Sequence, residues 1–366
     1  MNIPPTPIHP DPPVLIRIKG SHREMGRQMG EAFAPAIHHC LENTRNLIAN
    51  GYGMLGLSWD GAQTQGRKYI PFAQERYPQY VEELVGIAEG AGVPLNDLIV
   101  LTAIEGVTVD ALYLTKCSSF AVNGDITTDG RVLVAHNEDW IPEDEEDICI
   151  LHAKPDDEPH FLAINYGGFL PNVGFNAEGI AQCCDAVYAN DSRMGIPRVI
   201  VSRAVLGART LAGAIRHMLV PRRAAGYNHL LAHESGELYN VEVSARHFAI
   251  SYARDDFILH TNHYLDPNMQ AIESNSDDLV NSRVRYFRLL RLLSQEPRHT
   301  VKSLQEIQRD HVNYPNSICN HIDEIDSLIE RQKTVTALIM DLTNRVMHVC
   351  WGNPCTNAYH SYYLDA

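Results

Sequence analysis

Lys116-Cys117-Ser118-Ser119-Phe120-Ala121-Val122, followed after a turn by Asp129-Gly130-Arg131-Val132-Leu133-Val134-Ala135-His136-Asn137-Glu138-Asp139-Trp140, is the stretch on which the reading of this chain turns. Residues 118–122 and 132–135 read as strands joined by a turn region containing Asp129-Gly130, the pattern of a β-hairpin. A hairpin sets its two ends side by side, so Asp139 returns close to Cys117. Cysteines at the start of a strand are mostly structural. A carboxylate folded back beside this one raises the prospect of chemistry.

Upstream of the hairpin the texture is helical. Ser21-His22-Arg23-Glu24 has the form of a capping box and follows Gly20. Met25, Met29, Phe33 and Ile37 then recur every fourth residue, and Pro35 is expected to bend or interrupt that helix. A second helix starts at Pro78, runs through Val81, Leu84, Ile87 and Ala88, and stops at Gly90-Ala91-Gly92. A third follows from Asn96.

Downstream, strands are expected at 148–153, 161–166, 180–184, 229–232, 238–243, 248–252, 257–261, 336–341 and 346–351. Helices are expected at 198–206, 211–219 and 279–293. The last is amphipathic, with Val280, Val284, Phe287 and Leu290 on one side and several arginines on the other. Helices, then strands, helices, strands and helices again suggest a layered α+β architecture.

Asp and Glu outnumber Lys and Arg 45 to 30, for a formal net charge of −15. That balance argues against a phosphate-tracking surface and hence against a nucleic-acid partner. No run of about eighteen apolar residues is present, so no membrane span is expected. Residues 1–13 are proline-rich, lack the basic-then-apolar order of a signal peptide, and read as an extended arm of a cytoplasmic protein. The eight cysteines contain no CxxC pair, and neither a zinc ribbon nor a disulfide scaffold is indicated.

At this point a resemblance becomes specific. Gly20 to Gly30, Gly86-Ile87-Ala88-Glu89-Gly90-Ala91-Gly92, Cys117-Ser118-Ser119 followed by Asn137-x-Asp139-Trp140, Gly174-Phe175-Asn176-Ala177-Glu178-Gly179, His260-Thr261-Asn262-His263 and Gly352-Asn353-Pro354 occur in the order and spacing of one family. The chain resembles the isopenicillin N acyltransferase family of N-terminal-nucleophile hydrolases from about Ile16 to Pro354. The resemblance implies a four-layer αββα sandwich and a precursor that cuts itself between Lys116 and Cys117. Residues 1–116 would form a mainly helical first chain. Residues 117–366 would form a second chain led by the catalytic cysteine, and the two together one domain.

The resemblance also distributes roles. Cys117 is the nucleophile, and Asp139 orients or pairs with the new amino terminus. Asn262 offers a side-chain N–H to the oxyanion, and Arg331 aligns with a family arginine at the site. His136 and Asp185 are possible pocket residues. Lys116 stands where relatives often carry glycine, and a bulky residue there could slow the cut. The chemistry follows from the groups themselves. While the chain is intact the nitrogen of Cys117 is an amide and cannot be a base. Once freed, it is an α-amine with a usual pKa of about 7.7–8.0, able to take the thiol proton.

Water attacking an acyl-cysteine makes an amidase, and an amine attacking it makes an acyltransferase. Hydrolysis of a small N-acyl or peptide-like amide is preferred, because no segment offers a dedicated basic pocket for the phosphates of coenzyme A. The acidic run Glu143-Asp144-Glu145-Glu146-Asp147 would oppose a polyanionic donor if it borders the mouth; otherwise it is a solvated loop. No cofactor is implied, and a homo-oligomer is left open. Two rival readings are a metal enzyme, through His229 and His233 or His260 and His263, and a non-catalytic binding protein on the same fold. For the first, residues i and i+4 of a strand stand about 13 Å apart, too far to share a metal.

Overall fold

The computed structural model describes residues 6–51, 53, 56–108, 116–274, 279–327 and 329–365. The chain opens with strand β1 (Val14–Gly20) and helices α1 (His22–Asn50), α2 (Trp59–Gly66), α3 (Ile70–Arg76), α4 (Pro78–Ala91), α5 (Leu95–Thr102) and α6 (Ile104–Thr108). Strands β2 (Lys116–Val122), β3 (Leu133–Trp140), β4 (Ile148–Pro155), β5 (Phe161–Tyr166), β6 (Val173–Asn176) and β7 (Ile180–Asp185) follow. Helices α7 (Arg198–Leu206) and α8 (Leu211–Met218) lead to β8 (Tyr227–His233), β9 (Leu238–Val243), β10 (Phe248–Tyr252) and β11 (Phe257–His260). The remainder is α9 (Pro267–Gln270), α10 (Val280–Gln295), α11 (Val301–Gln308), β12 (Lys333–Asp341), β13 (Val346–Trp351) and β14 (Tyr359–Tyr363).

The strands form two sheets. One has the order β1-β4-β5-β6-β7-β8-β9-β10 and the other β11-β2-β3-β12-β13-β14. Alternation along the strands decides how they stack. Ala121, Val134, Leu338 and Met340 of the second sheet meet Ile150, Leu162, Phe175 and Leu230 of the first in one core between the sheets. Phe120, Val122, Leu133, Ala135 and Ile339 point the other way and are covered by Leu289 and Leu293 of α10 and Leu304 and Ile307 of α11. The outer face of the first sheet, with Leu151, Ala153, Phe161 and Ala163, is covered by apolar residues of α1, α4, α5 and α7. The molecule is therefore the αββα sandwich the resemblance implied, one helical layer outside each sheet.

Two features of the helical layer bear on the sequence. Pro35 lies inside α1, and Phe33 takes φ −125°, ψ 19°, so the helix is kinked where proline was expected to bend it. Helices α1 and α4 cross with their backbones nearly touching. A Cβ on Gly26 would lie 2.1 Å from the Glu83 carbonyl oxygen, and one on Gly86 would lie 2.0 Å from that of Arg23. Gly30 and Gly90 repeat the arrangement one turn on, at 2.4 Å from Ile87 and 2.2 Å from Arg27. No side chain other than hydrogen fits these positions.

The acidic run is not a solvated loop. Residues Pro142–Asp147 form a short 3-10 helix in which Asp144, Glu145 and Asp147 are buried. Asp144 accepts from Trp140 Nε1 (2.7 Å) and Asn43 Nδ2 (2.9 Å), Asp147 pairs with His39, and Glu145 pairs with Lys333 and His9. These carboxylates tie α1 and β12 to the β2–β3 hairpin.

Candidate active site

The hairpin forms in the anticipated register. Strands β2 and β3 are antiparallel, with Lys116 opposite Asp139, Cys117 opposite Glu138 and Ser119 opposite His136. Because side chains alternate, Cys117 and Ser119 face the space between the sheets together with His136 and Glu138. Asp139 and Ser118 face the layer of α10. Cys117 is 1% exposed, and its sulfur lies 3.9 Å from Glu138 Oε1. Burial above all, then the charges of Glu138, Asp185 and Asp139, push the thiol well above its ordinary pKa while the chain is intact. A thiol so placed needs a base beside it to become a thiolate.

The backbone N–H of Cys117 donates to Asn262 Oδ1 at 2.8 Å. The same oxygen accepts from Arg285 Nη2 at 2.7 Å, and Asn262 Nδ2 donates to the Ala186 carbonyl at 3.1 Å. Two donors on one end of the amide and a carbonyl on the other fix its orientation. In the intact chain Asn262 thus presents its oxygen to the nitrogen of Cys117, and one of the two N–H donors of the amide that the resemblance assigns to the oxyanion is engaged with Ala186.

Asp139 accepts from Thr334 Oγ1 at 2.6 Å, and Thr334 Oγ1 in turn accepts from the Asn320 N–H at 2.9 Å. Burial raises the Asp139 carboxyl to about 7, against the pull of Arg285, Thr334 and Lys116. Lys116 turns away from the thiol. Its Nζ lies 3.3 Å from Asn316 Oδ1 and 3.9 Å from Asp326, so its bulk does not cover Cys117.

Arg331 is not the guanidinium at this site. It binds the Glu324 carboxylate at 3.0 Å and the Asp326 carbonyl in the loop before β12. None of its hydrogen bonds reaches Cys117, Asp139 or Asn262. That position belongs to Arg285 of α10, which is 1% exposed and donates to the Cys117 carbonyl and, at 3.0 Å, to Ser118 Oγ. The sequence reading put the buried side of this helix on Val280 and Phe287, which are 62% and 64% exposed. The buried side carries Ser282, Arg285, Leu289 and Leu293. The misplaced face concealed Arg285.

His136 and Asp185 both belong to a polar chain sealed between the sheets. Ser119 Oγ donates to Asp185 at 2.6 Å and accepts from His136 Nδ1 at 2.8 Å, while His136 Nε2 meets Glu138 Oε2 at 2.9 Å. Asp185 also accepts from Asn228, and His260 lies between Asp185 and Glu242. The two carboxylates raise His260 to about 9 despite its burial. His136 is likewise raised against its burial, chiefly by Glu138. The other histidines considered as metal ligands do not converge. His229 sits beside Gln182 and Cys184, and His263 beside Ser282.

Two stacked sheets with a helical layer outside each define a protein of the four-layer αββα fold class. The family model of acyl-coenzyme A:6-aminopenicillanic acid acyl-transferase matches residues 126–356, well over half of the chain, and the chain belongs to that family. It is 24% identical over 344 residues to the 40 kDa form of acyl-coenzyme A:6-aminopenicillanic-acid-acyltransferase of Emericella nidulans, spanning 93% of this chain and 92% of the relative. With beta-alanyl-dopamine/carcinine hydrolase of Drosophila melanogaster it shares 29% identity over 225 residues, 56% of each chain. Among solved structures, a mutant conjugated bile acid hydrolase from Clostridium perfringens aligns over 68% of this chain and 97% of that one, with TM-score 0.46 and 11% identity. Penicillin V acylase from Agrobacterium tumefaciens aligns over 64% and 83%, with TM-score 0.43 and 13% identity.

Proposed function

We propose that the protein is a self-activating cysteine amidase in which Cys117 first severs the Lys116–Cys117 bond and then attacks a small N-acyl or peptide-like amide. The observation that carries this reading is the hold on Cys117: its nitrogen rests on Asn262, its carbonyl on Arg285, and its thiol beside Glu138. In activation, the sulfur adds to the Lys116 carbonyl, the amide nitrogen leaves with a proton, and water hydrolyses the resulting thioester. The products are a carboxylate on Lys116 and a free α-amine on Cys117.

In turnover that amine, held by Asn262, takes the thiol proton as sulfur attacks the substrate carbonyl. The proton passes to the departing amine, and water releases the acid from the acyl-cysteine. Residues 1–116 and 117–366 remain one αββα domain.

Acyl transfer is the second reading, favoured by the acyltransferase to which nearly the whole chain aligns. The hydrolase relative supports water as acceptor. Supplying acyl amides with and without a competing amine separates the two: free acid marks hydrolysis, a new amide marks transfer. In either case, mass spectrometry of a quenched reaction should find the acyl group on the peptide that begins at Cys117. Undiminished turnover by Cys117→Ala would sink both.

A further inference from the structure

Outside this site, four ligand-type side chains from three places in the sequence converge. His311 follows α11, Cys319 and His321 lie in the loop before β12, and Cys355 follows β13. One ring nitrogen or Sγ atom from each lies within 4.8 Å of all the others. His311 Nε2 is 3.1 Å from His321 Nε2, and His321 Nε2 is 3.6 Å from Cys319 Sγ and 3.7 Å from Cys355 Sγ.

Hydrogen bonding accounts poorly for this arrangement. An imidazole nitrogen carries one lone pair or one N–H, yet His321 Nε2 lies within 3.7 Å of three polar atoms. A single tetrahedral cation accounts for the three distances from His321 together, and the other pairs lie within the same 4.8 Å. Zinc takes nitrogen at about 2.0 Å and sulfur at about 2.3 Å, which places neighbouring ligands about 3.3 Å apart for two nitrogens and about 3.5 Å for nitrogen and sulfur.

We propose that His311, Cys319, His321 and Cys355 bind one zinc ion as a closed, structural Cys2His2 site. Two thiolates neutralise the ion, which suits its partial burial. Four protein ligands leave no open position for substrate. Asn353, in the Gly352-Asn353-Pro354 motif, donates to Cys319 Sγ at 3.5 Å and to the Asn320 carbonyl at 2.8 Å, the kind of outer support that orients a thiolate ligand.

The site clips the 309–332 loop to the segment after β13. That loop supplies Asn316 to Lys116 and, through the Asn320 N–H and Thr334, fixes the carboxyl of Asp139. The metal would therefore hold the wall behind the cleavage point without touching the reacting atoms.

The test is metal analysis of the full chain purified under reducing conditions without chelator from zinc-replete cells. The expected result is one zinc per chain, lost in a His311→Gln, Cys355→Ser double variant, with a Tm lowered by roughly 10 °C on removing the metal from the natural chain. Should the variant fail to fold, cobalt(II) added to the stripped natural chain provides the second measurement. A stoichiometric thiolate-to-cobalt charge-transfer band with tetrahedral ligand-field bands is expected. Substoichiometric zinc with no such band, zinc retained in full by the double variant, or a Cys319–Cys355 disulfide in the reduced preparation would each overturn the proposal.

Discussion

At the scale of single residues, the structure holds the backbone of Cys117 between Asn262 Oδ1 and the Arg285 guanidinium. That Cys117, Asp139 and Asn262 lie near one another was legible, because a turn signal and an ordered set of motifs placed them together. Arg285 was not, because an arginine on an amphipathic helix is ordinarily solvated and only tertiary packing shows which side is buried. The metal-type cluster escaped for a related reason: its spacing, His311-x7-Cys319-x-His321 with Cys355 far downstream, matches no local signature. Replacing Asn262 with Ala should lower kcat by roughly 10²–10³, whether the loss falls on the oxyanion or on the orientation of the amine. Near-normal turnover would remove both roles. Arg285→Lys keeps the charge but loses the planar fork that spans Cys117, Ser118 and Asn262, so turnover should fall by at least about tenfold. Steady-state kinetics of the two variants checks both expectations.

Asp139 makes a prediction with a definite sign. Its folded pKa, raised to about 7 from the ordinary 3.8, favours the protonated carboxyl in the intact chain. Its contribution to stability is therefore fully present below about pH 4 and is lost as pH rises through about 7. In the uncleavable Cys117→Ala chain, urea midpoints should show this decline, and adding Asp139→Asn should flatten it relative to the single variant. Identical pH profiles would contradict the assignment. Cleavage adds an ammonium group beside Asp139 and should draw its pKa back down.

At the scale of elements, the longer strands and the principal helices stood where periodicity put them, and the kink at Pro35 followed from its ring. Strands β1, β6 and β14 went unread, as did α2, α3, α9 and α11. Most are short, and β1 is one strand of a parallel pair with β4, a partnership across more than a hundred residues that no local pattern reveals. The α1–α4 crossing depends on Gly26, Gly30, Gly86 and Gly90. Gly86→Ala forces a methyl group against the Arg23 carbonyl and should destabilise the protein by roughly 1–3 kcal/mol, read as a lower urea midpoint with unchanged slope. An unchanged midpoint would show that the helices can move apart at little cost.

At the scale of the whole molecule, the two segments flanking Lys116–Cys117 share one fold. β1 pairs along its length with β4, from Val14 opposite Cys149 to Gly20 opposite Pro155. Met25, Ile37, Leu84 and Leu101 share a core with Leu151, Phe161 and Val201. Parting the segments would expose that apolar surface to water, so a cut at the hairpin should leave them bound. Intact-mass measurement of the purified protein tests the central claim most directly. The expected result is two co-purifying species with the masses of residues 1–116 and 117–366, and in Cys117→Ala a single inactive chain of about 41 kDa. A single uncut chain of 41.0 kDa with full amidase or acyltransferase activity would contradict it.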